Sequence, residues 1–305
     1  MPKHNVKLII NPNADLGRTW RMAADLKPIV EEFGGADWAG TAYPTHATEL
    51  ARQAAEEGYK LLIAVGGDGT VHEIINGLMQ VEAGRRPQLG IVPLGSGNDF
   101  AYNAGVVFQA DAALRNIFNN QARRIDLARI EDDTGRSEYF CNVVGIGFDA
   151  KTNIHARTVP IVRGFLMYFV AVLKTIFLTH EAPRMKITTD GESWEEEILM
   201  ITLCNGAREG GGFTVAPQAV IDDGWLDYVM IENVSRPMML RLVPEVMNGT
   251  HARFKQVRLG RFHQLSLECE KANVIHIDGE VYAGFSSNVH NLSIGIIPAA
   301  IELIT

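Results

Sequence analysis

The feature that most constrains the fold is the stretch LLIAVGGDGTVHEI at residues 61–74, where an apolar run meets a glycine-rich turn and then a helix-like sequence. The apolar run predicts a buried strand, and the spacing of Thr70 and Glu73 is that of a capping box, which opens a helix. The turn glycines can adopt positive φ and leave no Cβ beside a ligand. They are Gly66, Gly67 and Gly69. A strand that ends in such a turn predicts either a tight structural turn or a phosphate-binding site.

Two further turns of this kind follow apolar runs in the same part of the chain. Asn11 and Pro12 follow VKLII, and Gly95, Ser96 and Gly97 follow LGIVPL. Apolar runs alternate with helical patterns up to about residue 130, which predicts a mostly parallel sheet. The three turns should therefore emerge at its carboxyl edge, where such sheets bind ligands. One glycine turn is a weak signal, but three at one edge favour a site for nucleotide phosphates.

The second part of the chain has a different pattern. After Arg124, short strands alternate with turn residues, which predicts an antiparallel β-sandwich with helical insertions near residues 160–177 and 237–247. We therefore expect an α/β domain over residues 1–128 and a sandwich domain over 129–295. A chain of 305 residues, 47% of them hydrophobic, can form two such cores.

Charge and cysteine content narrow the function classes. The net charge of −8, without a basic tail, argues against nucleic acid as a partner. Three separate cysteines, Cys141, Cys204 and Cys269, indicate neither a disulfide framework nor a paired-cysteine zinc site. The N-terminal residues lack the pattern of a signal peptide. These features fit a protein of the reducing cytoplasm.

Four motifs, in the order GGDGTVHEIINGL, PLGSGNDFA, APQAVIDDGWLD and IDGE, resemble the bacterial diacylglycerol kinase family, in the superfamily of sphingosine, ceramide and NAD kinases. The resemblance spans nearly the whole chain, and the second and third motifs are the ones most specific to lipid kinases. It implies an NAD kinase/phosphofructokinase-like nucleotide domain, a β-sandwich, an active site between them, and a return of residues 296–305 to the first domain. The first loop departs from the family pattern because Arg18 stands where a lysine is usual, which leaves its triphosphate contacts open.

The resemblance implies ATP and Mg²⁺ as cofactors. The residues expected to bind the nucleotide lie in the three turns and at the start of one helix. They are Asn11, Thr45, Gly66, Gly67, Asp68, Gly69, Thr70, Glu73, Gly95, Ser96 and Asn98. A role for Thr45 as a helix N-cap explains this residue equally well.

The same resemblance implies a metal site. It assigns Mg²⁺ to the carboxylate of Asp223 and the backbone carbonyls of Val220 and Trp225, joined through waters to Asp68 and Asp99. Such oxygen donors suit Mg²⁺, and Asp68 has no favourable contact with phosphate except through a cation. Asp99 is equally explained as the acid that complements a helix dipole, and the DDGWLD motif as a hairpin turn.

Transfer of phosphate to an alcohol needs a base. Asp278 and Glu280 flank a glycine in HIDGEVY, and either carboxylate could accept the proton. The resemblance assigns catalysis to this element and to Asp68, and we favour Glu280 for its reach. The Asp-Gly pair is also a strong hairpin signal. His276 and His72 are expected to be structural.

The most apolar stretch is residues 158–178, whose uninterrupted core runs only from Gly164 to Leu173. This is too short for a bilayer of ~30 Å, which takes about 20 apolar residues. Two hypotheses stand: a helix buried on the sandwich, or an interfacial helix. In the second, Arg157, Arg163 and Lys174 would contact anionic headgroups.

The sequence therefore predicts an ATP-dependent kinase that phosphorylates a hydroxyl of a neutral membrane lipid, with diacylglycerol to phosphatidate as the default. We expect it in the cytoplasm, peripherally attached to the inner face of the membrane, and compatible with a homodimer. One alternative is an NAD kinase-like enzyme for a soluble small molecule, which would not require the GSGNDFA turn or the apolar stretch. The other is a nucleotide-binding module without catalysis, in which the Asp-Gly-Glu element is only a hairpin.

Overall fold

The computed structural model describes residues 4–159 and 164–305, without the side chains of Asp15, Leu16, Arg18, Trp20 and Ala23. Contacts between Cα atoms divide the chain into two compact units. Unit 1 comprises Met1–Asp126 with Ala299–Thr305, and unit 2 comprises Leu127–Pro298. The last seven residues therefore belong to the same unit as the first strands.

Unit 1 alternates strands and helices along the chain. Its elements are β1 (Val6–Ile10), α1 (Arg18–Glu32), β2 (Asp37–Gly40), α2 (His46–Glu57), β3 (Leu61–Gly66), α3 (Asp68–Leu78), β4 (Gln88–Pro93), α4 (Asp99–Asn103) and α5 (Ala110–Asn119). The four strands pair in parallel in the order β2-β1-β3-β4. Leu303 and Ile304 add a further parallel pairing to β4. The predicted parallel sheet is confirmed.

The register of these strands brings the three glycine turns to one edge. Ile10 of β1 pairs with Val65 of β3, and Gly66 pairs with Pro93 of β4. The turn after each strand therefore leaves the sheet at its carboxyl edge, as the sequence predicts. The reason for the glycines differs from the prediction, however. Gly67 has a φ of −99°, and Gly69 lies in the first turn of α3, so neither adopts positive φ.

One glycine in unit 1 permits a close contact between helices. A Cβ on Gly77 of α3 would lie 2.3 Å from the carbonyl oxygen of Thr48 and 2.9 Å from the Cβ of Ala51, both on α2. Such distances are too short for any side chain. The absence of a side chain at this position therefore lets α2 and α3 pack backbone against backbone.

Unit 2 consists mainly of antiparallel strands. Its elements are β5 (Arg123–Asp132, which begins in unit 1), β6 (Ser137–Phe140), β7 (Val143–Gly147), α6 (Phe148–Ala156), α7 (Gly164–Leu178), β8 (Arg184–Thr189), β9 (Glu192–Cys204), β10 (Arg208–Glu209), β11 (Phe213–Thr214), β12 (Leu226–Glu232), α8 (Arg236–Met247), β13 (Val257–Phe262), β14 (Gln264–Cys269), β15 (Ile275–Ile277), β16 (Glu280–Ala283) and β17 (Asn291–Ile304, which ends in unit 1). The predicted sandwich is confirmed.

The long strand β9 belongs to two groups of strands. Its first half, Glu192–Glu197, pairs with β8, and its second half pairs with β7 and β12. Ile198, Ile201 and Leu203 lie in the core between the strand groups. Leu199 and Cys204 face the opposite way and pack against residues of α6, α7 and α8. The register between β9 and β12 shifts between Ile198 and Met200, so the alternation is interrupted there, and β9 contributes to both a strand-to-strand core and a strand-to-helix core.

Of the two expected helical insertions, α7 and α8 agree with the sequence, although residues 160–163 lie outside the described part of the chain. Helix α6 was not expected. The segment GFDAKTNIHA continues the apolar strand β7 without a break, so its sequence does not mark the start of a helix. In the structure Gly147 adopts a φ of 81° and ends the strand, and the helix begins at Phe148.

We predict that Gly77→Ala lowers the free energy of unfolding by about 1–3 kcal/mol, because an added methyl group must push apart two packed helices. Alanine favours a helix over glycine by only about 1 kcal/mol. Gly84→Ala is the control, because nothing lies within 4 Å of its Cβ position. Urea unfolding of both variants measures the difference. Equal stability of the two variants would show that α2 and α3 do not pack in this way.

Candidate active site

The glycine turn after β3 (residues 66–69) and the glycine turn after β4 (residues 95–97) contact each other through their backbones. A Cβ on Gly67 would lie 2.9 Å from the Cα of Gly95, and a Cβ on Gly95 would lie 2.4 Å from the Cα of Gly67. Asn98 fixes the third turn, because its Oδ1 accepts the N–H of Gly95 at 2.8 Å and its Nδ2 donates to the Gly95 carbonyl at 2.9 Å. The φ of Asn98 is 52°, a conformation that asparagine tolerates. The two turns therefore form one rigid edge.

Two carboxylates meet at this edge. A Cβ added to Gly97 would lie 3.1 Å from a carboxylate oxygen of Asp68 and also 3.1 Å from a carboxylate oxygen of Asp99. Asp68 also accepts the N–H of Phe100 at 3.1 Å. Asp99 is 7% exposed and begins α4. The structure thus brings together the two acids that the sequence assigns to a metal network.

The N-terminus of α3 differs from the predicted capping box. The helix begins at Asp68 after Gly67, so Thr70 lies inside its first turn. The Glu73 carboxylate does not return to its own helix. It accepts the N–H groups of Thr45 at 2.9 Å and Ala47 at 3.0 Å, and so provides hydrogen-bond acceptors for the backbone at the start of α2. The capping-box prediction is wrong because a neighbouring helix offers donors that Glu73 reaches.

The remaining nucleotide candidates lie around the same edge. Asn11 donates from Nδ2 to the hydroxyl of Thr70 at 3.2 Å, which links the first turn to α3. Thr45 occupies the N-cap position of α2 with a φ of 71°, but its side chain makes no capping hydrogen bond. Ser96 is exposed. The side chain of Arg18, the departure from the family pattern, lies outside the described residues.

In unit 2, the Asp278 carboxylate is bound by the backbone at the start of β7. It accepts the N–H groups of Cys141 at 3.0 Å, Asn142 at 2.9 Å and Val143 at 3.0 Å. Asp278 is 5% exposed and has a φ of 48°. Its N–H in turn donates to the carbonyl of Val143 at 2.8 Å. We call residues 278–280 the Asp278 turn.

Helix α6 holds the other end of this turn. Arg157 forms an ion pair with the exposed Glu280 at 2.7 Å and donates to the carbonyl of Gly279 at 2.8 Å. Asn153 donates to the same carbonyl at 2.9 Å and to the Tyr168 hydroxyl at 3.0 Å. The interfacial-helix hypothesis gave Arg157 a contact with anionic headgroups; in the structure its guanidinium contacts the Asp278 turn.

A buried ionic cluster that the sequence analysis missed lies two residues before this turn. His276 is fully buried, with Nε2 at 2.9 Å from Glu209 and 3.5 Å from Asp149. Burial opposes the protonation of His276, but the two carboxylates outweigh it and raise its pKa to about 10. Burial and the same carboxylates raise the pKa of the Cys204 thiol. His276 is a core residue, as expected, but it is also the cation of this cluster.

The two carboxylates of the cluster face an apolar cavity of about 90 Å³. Its walls include residues of β9, β12, α6, α7 and α8, among them Val172, Leu199 and Val243. Asp149 and Glu209 supply what we call the acidic end of the cavity. Tyr168 lines the cavity at this end, because its ring lies 3.1 Å from the Cβ position of Gly210. Through Asn153 the Tyr168 hydroxyl connects the cavity to the Asp278 turn.

The predicted magnesium loop forms a turn around Asp223. One carboxylate oxygen accepts the N–H of Trp225 at 3.1 Å, and the other pairs with Arg261 at 2.9 Å. Gly224 has a φ of 79°, and Val220 is exposed. A cation at this carboxylate would therefore compete with the guanidinium of Arg261.

Helix α7 has one buried and one exposed apolar face. Leu166, Val170, Phe177 and Leu178 are between 38% and 64% exposed, whereas Ala171, Thr175 and Ile176 are buried. Lys174 donates to the Thr158 hydroxyl at 2.9 Å, and Arg163 lies outside the described residues. Within residues 4–159 and 164–305, no helix has the length and apolar character needed to cross a bilayer.

Comparison with known proteins agrees with this architecture. The diacylglycerol kinase catalytic domain matches residues 5–130, and the YegS C-terminal NAD kinase beta sandwich-like domain matches residues 142–305. The fold and its edge of glycine turns define a two-part phosphotransferase. The chain belongs to the lipid kinase family that these two domains define, and it is a kinase; membership implies the use of ATP.

Individual relatives support the assignment over most of the chain. A protein of Chromohalobacter salexigens named "Probable lipid kinase YegS-like" is 34% identical, over 89% of this chain and 89% of that protein. A diacylglycerol kinase of Mycobacterium tuberculosis is 31% identical, over 85% of this chain and 81% of that protein. The solved structure of a diacylglycerol kinase of Bacillus anthracis shares the fold, with a TM-score of 0.73 and 24% identity over 98% of this chain and 96% of that chain.

We predict that Asp278→Asn lowers the stability of the protein by about 1–3 kcal/mol. The side-chain NH2 group of asparagine would face backbone N–H groups that the carboxylate of Asp278 now accepts, so a donor would meet donors. Asparagine tolerates the positive φ of this residue, so backbone strain does not contribute. Glu280→Gln, at an exposed position, should change stability by less than about 0.5 kcal/mol. Thermal unfolding of both variants tests this. An Asp278→Asn protein as stable as the wild type would contradict the binding of the carboxylate by residues 141–143.

Proposed function

We propose that the protein transfers the γ-phosphate of ATP to a hydroxyl of a neutral lipid, with diacylglycerol as the default acceptor and phosphatidate as the product. The observation that carries this proposal is the apolar cavity of unit 2, whose acidic end connects to the Asp278 turn. An acceptor lipid with its acyl part in the cavity would present its hydroxyl near Glu280. The cavity is smaller than an engineered cavity of about 150 Å³ that binds benzene, so it holds only part of an acyl chain.

The carboxyl edge of unit 1 is the proposed nucleotide site. Helix α3 has no side-chain cap at Gly67, so its first N–H groups suit phosphate oxygens, which the helix dipole also favours. Asn11, Thr45 and Ser96 extend the site around this helix.

The donor chemistry fits Mg²⁺ best at Asp68 and Asp99. Two adjacent carboxylates at a half-buried edge favour a cation, and carboxylates are ligands that Mg²⁺ prefers. When bound, the ion would neutralise charge on the transferred phosphate. Asp223, with Val220 and Trp225, remains a proposed contributor, although Arg261 already pairs with its carboxylate.

We assign the general base to Glu280 and a positioning role to Asp278. The Asp278 carboxylate already accepts three backbone N–H groups, so proton transfer to it would weaken that binding. Glu280 is exposed, and Arg157 pairs with it at 2.7 Å and so keeps a positive charge beside it. A substrate hydroxyl could take the place of that ion pair and give its proton to Glu280.

The cavity also separates this proposal from its alternatives. An NAD kinase-like enzyme for a soluble polar molecule has no use for a cavity with apolar walls beside its base. A nucleotide-binding module without catalysis would not need the Asp278 turn to be held from both ends, by β7 and by α6. Both alternatives predict that no lipid stimulates the consumption of ATP.

We further propose that the exposed face of α7 contacts a lipid bilayer, at the inner face of the cytoplasmic membrane. The opposite face of the same helix lines the cavity through Tyr168, Val172 and Ile176. A bilayer against Leu166, Val170 and Phe177 would therefore bring lipid to within one helix diameter of the cavity. The bilayer is where a diacylglycerol acceptor resides, and aromatic and aliphatic side chains enter its interface readily.

A panel of lipids with labelled ATP tests the kinase proposal, and one pair of variants tests the cavity. Val243→Phe fills the cavity from α8 and should raise the KM for lipid by about tenfold or more, since the fit of a methylene in an apolar pocket has effects of this size. The KM for ATP should not change. Leu240→Phe is the control, because Leu240 lies on the same helix but is 39% exposed and does not line the cavity.

Equal losses in the two variants would place the acceptor elsewhere. Thermal unfolding of each variant accompanies the kinetics, so that a loss of folded protein is not mistaken for a loss of lipid binding.

For the bilayer contact, we predict that the double variant Val170→Gln/Phe177→Gln binds phospholipid vesicles at least about tenfold more weakly, because burial of each such side chain contributes about 1.5–3 kcal/mol. Phosphorylation of a dispersed short-chain diacylglycerol should be retained. The matched control is Val107→Gln/Phe108→Gln, which changes an exposed Val and Phe of unit 1. Vesicle sedimentation compares the proteins. Unchanged sedimentation of the α7 variant would assign membrane contact to another surface.

A further inference from the structure

Helix α6 contacts two different parts of unit 2. Phe148 and Thr152 line the apolar cavity. Asn153 and Arg157, one helical turn apart, donate to the carbonyl of Gly279 at 2.9 and 2.8 Å. One short helix therefore joins the wall of the cavity to the Asp278 turn, which carries the proposed base.

Helix α7 reaches the same turn through one side chain. Tyr168, Val172 and Ile176, spaced as i, i+4 and i+8, line the cavity from one face of this helix. The Tyr168 hydroxyl accepts a hydrogen bond from Asn153 at 3.0 Å and lies 3.9 Å from the Cβ position of Gly279. The ring of this tyrosine thus belongs to the cavity wall, while its oxygen lies beside the Asp278 turn.

Asn153 is oriented by these two contacts. It is 2% exposed, and it donates to Tyr168 and to the Gly279 carbonyl from the same Nδ2. Within the part of the chain that the structure describes, its Oδ1 has no hydrogen-bond partner. Loss of the Tyr168 hydroxyl would therefore leave the amide held from one side. When a substrate hydroxyl takes the place of Arg157 at Glu280, the bond from Asn153 still holds Gly279.

We propose that the acyl chain of the acceptor lipid activates the proposed base. A chain in the cavity packs against the ring of Tyr168, and Tyr168 and Asn153 then hold the Asp278 turn so that Glu280 meets the acceptor hydroxyl. The inference rests on the proposed function, because it assumes that a lipid occupies the cavity and that Glu280 accepts the proton. Tyr168 and Asn153 are positioning residues, since both act through Glu280.

The physical reason is the packing of the cavity wall. Atoms that face a cavity lack contacts on that side until a ligand supplies them, so a bound acyl chain restricts the movement of the half-buried Tyr168 ring and of its hydroxyl. Misplacement of a catalytic group by about 1 Å can cost about a hundredfold in rate. Binding energy from the acyl chain is then used to position the base, and it raises kcat as well as lowering KM.

The first measurement uses the wild-type protein with a series of dispersed diacylglycerols of increasing acyl length. We expect kcat to rise by about tenfold from the shortest acyl chain to the longest, because truncated substrates lose kcat when remote binding energy positions catalytic groups. The KM for ATP should not change along the series. Dispersed acceptors remove any contribution from a membrane surface.

The second measurement locates the effect. Tyr168→Phe removes one oxygen and keeps the ring in the cavity wall. Its kcat with the longest acyl chain should fall by about tenfold, close to the value for the shortest, whereas the KM for lipid should stay near the wild-type value. Tyr228→Phe is the control, because it makes the same change in a buried tyrosine of β12 that does not line the cavity. Each variant should lose no more than about 4 °C in melting temperature, as expected for one hydrogen bond.

A double-mutant cycle tests whether Tyr168 acts through Asn153. Asn153→Ala should lower kcat at least as much as Tyr168→Phe, and the double variant should be no slower than Asn153→Ala alone, because the two residues act in series. Thermal unfolding shows whether the alanine variants fold. If they do not, the chain-length series with Tyr168→Phe decides the proposal without them.

The outcomes separate this proposal from the proposed function. If the wild-type protein phosphorylates no lipid, the proposed function fails and the activation fails with it. If lipid is phosphorylated but kcat does not depend on acyl length, the protein is a lipid kinase and the activation is wrong. If Tyr168→Phe keeps the wild-type dependence of kcat on acyl length, Tyr168 is a wall residue only. Additive losses in the cycle would show that Tyr168 does not act through Asn153.

Discussion

The arrangement of unit 2 depends on one buried carboxylate. Asp278 accepts three consecutive backbone N–H groups at the entrance to β7, which fixes the strand β15 before it and the strand β16 after it. A buried charge is tolerated in a protein when donors surround it in this way. Because His276 precedes this residue and Glu280 follows it, the same hydrogen bonds set the position of the ionic cluster on one side and of the proposed base on the other.

In unit 1, the corresponding constraint is steric. The turns after β3 and β4 approach so closely that only glycine fits at positions 67 and 95. Their contact, with the two hydrogen bonds of Asn98, brings Asp68 and Asp99 to the same short stretch of backbone. The two units thus hold their charged groups in different ways. Unit 1 holds like charges together by a close-packed backbone, and unit 2 holds opposite charges together beneath an apolar cavity.

Local patterns in the sequence predict the parallel sheet, the common edge of its turns and the antiparallel sandwich, because strand and turn signals depend on neighbouring residues. Partners that are distant in sequence are not predicted in this way. Glu73 accepts backbone N–H groups at the start of α2 rather than of its own helix. Arg157 contacts Glu280, which lies more than 120 residues further along the sequence. Asp149 and Glu209 were missed for the same reason, although an acid directly after the apolar run VVGIGF was a signal that its charge needed a buried partner.

The division of the chain between the two units also affects how the protein is made. The first unit contains residues 1–126 and 299–305, and Leu303 and Ile304 pair with Leu89 and Gly90 in the first half of β4. A chain emerging from the ribosome exposes β4 long before its partner exists. While residues 94–302 are being synthesised, the side of β4 that later pairs with Leu303 and Ile304 is an open strand edge, which is prone to pair with other chains. The sheet of unit 1 can therefore be completed only after the whole of unit 2 has been synthesised.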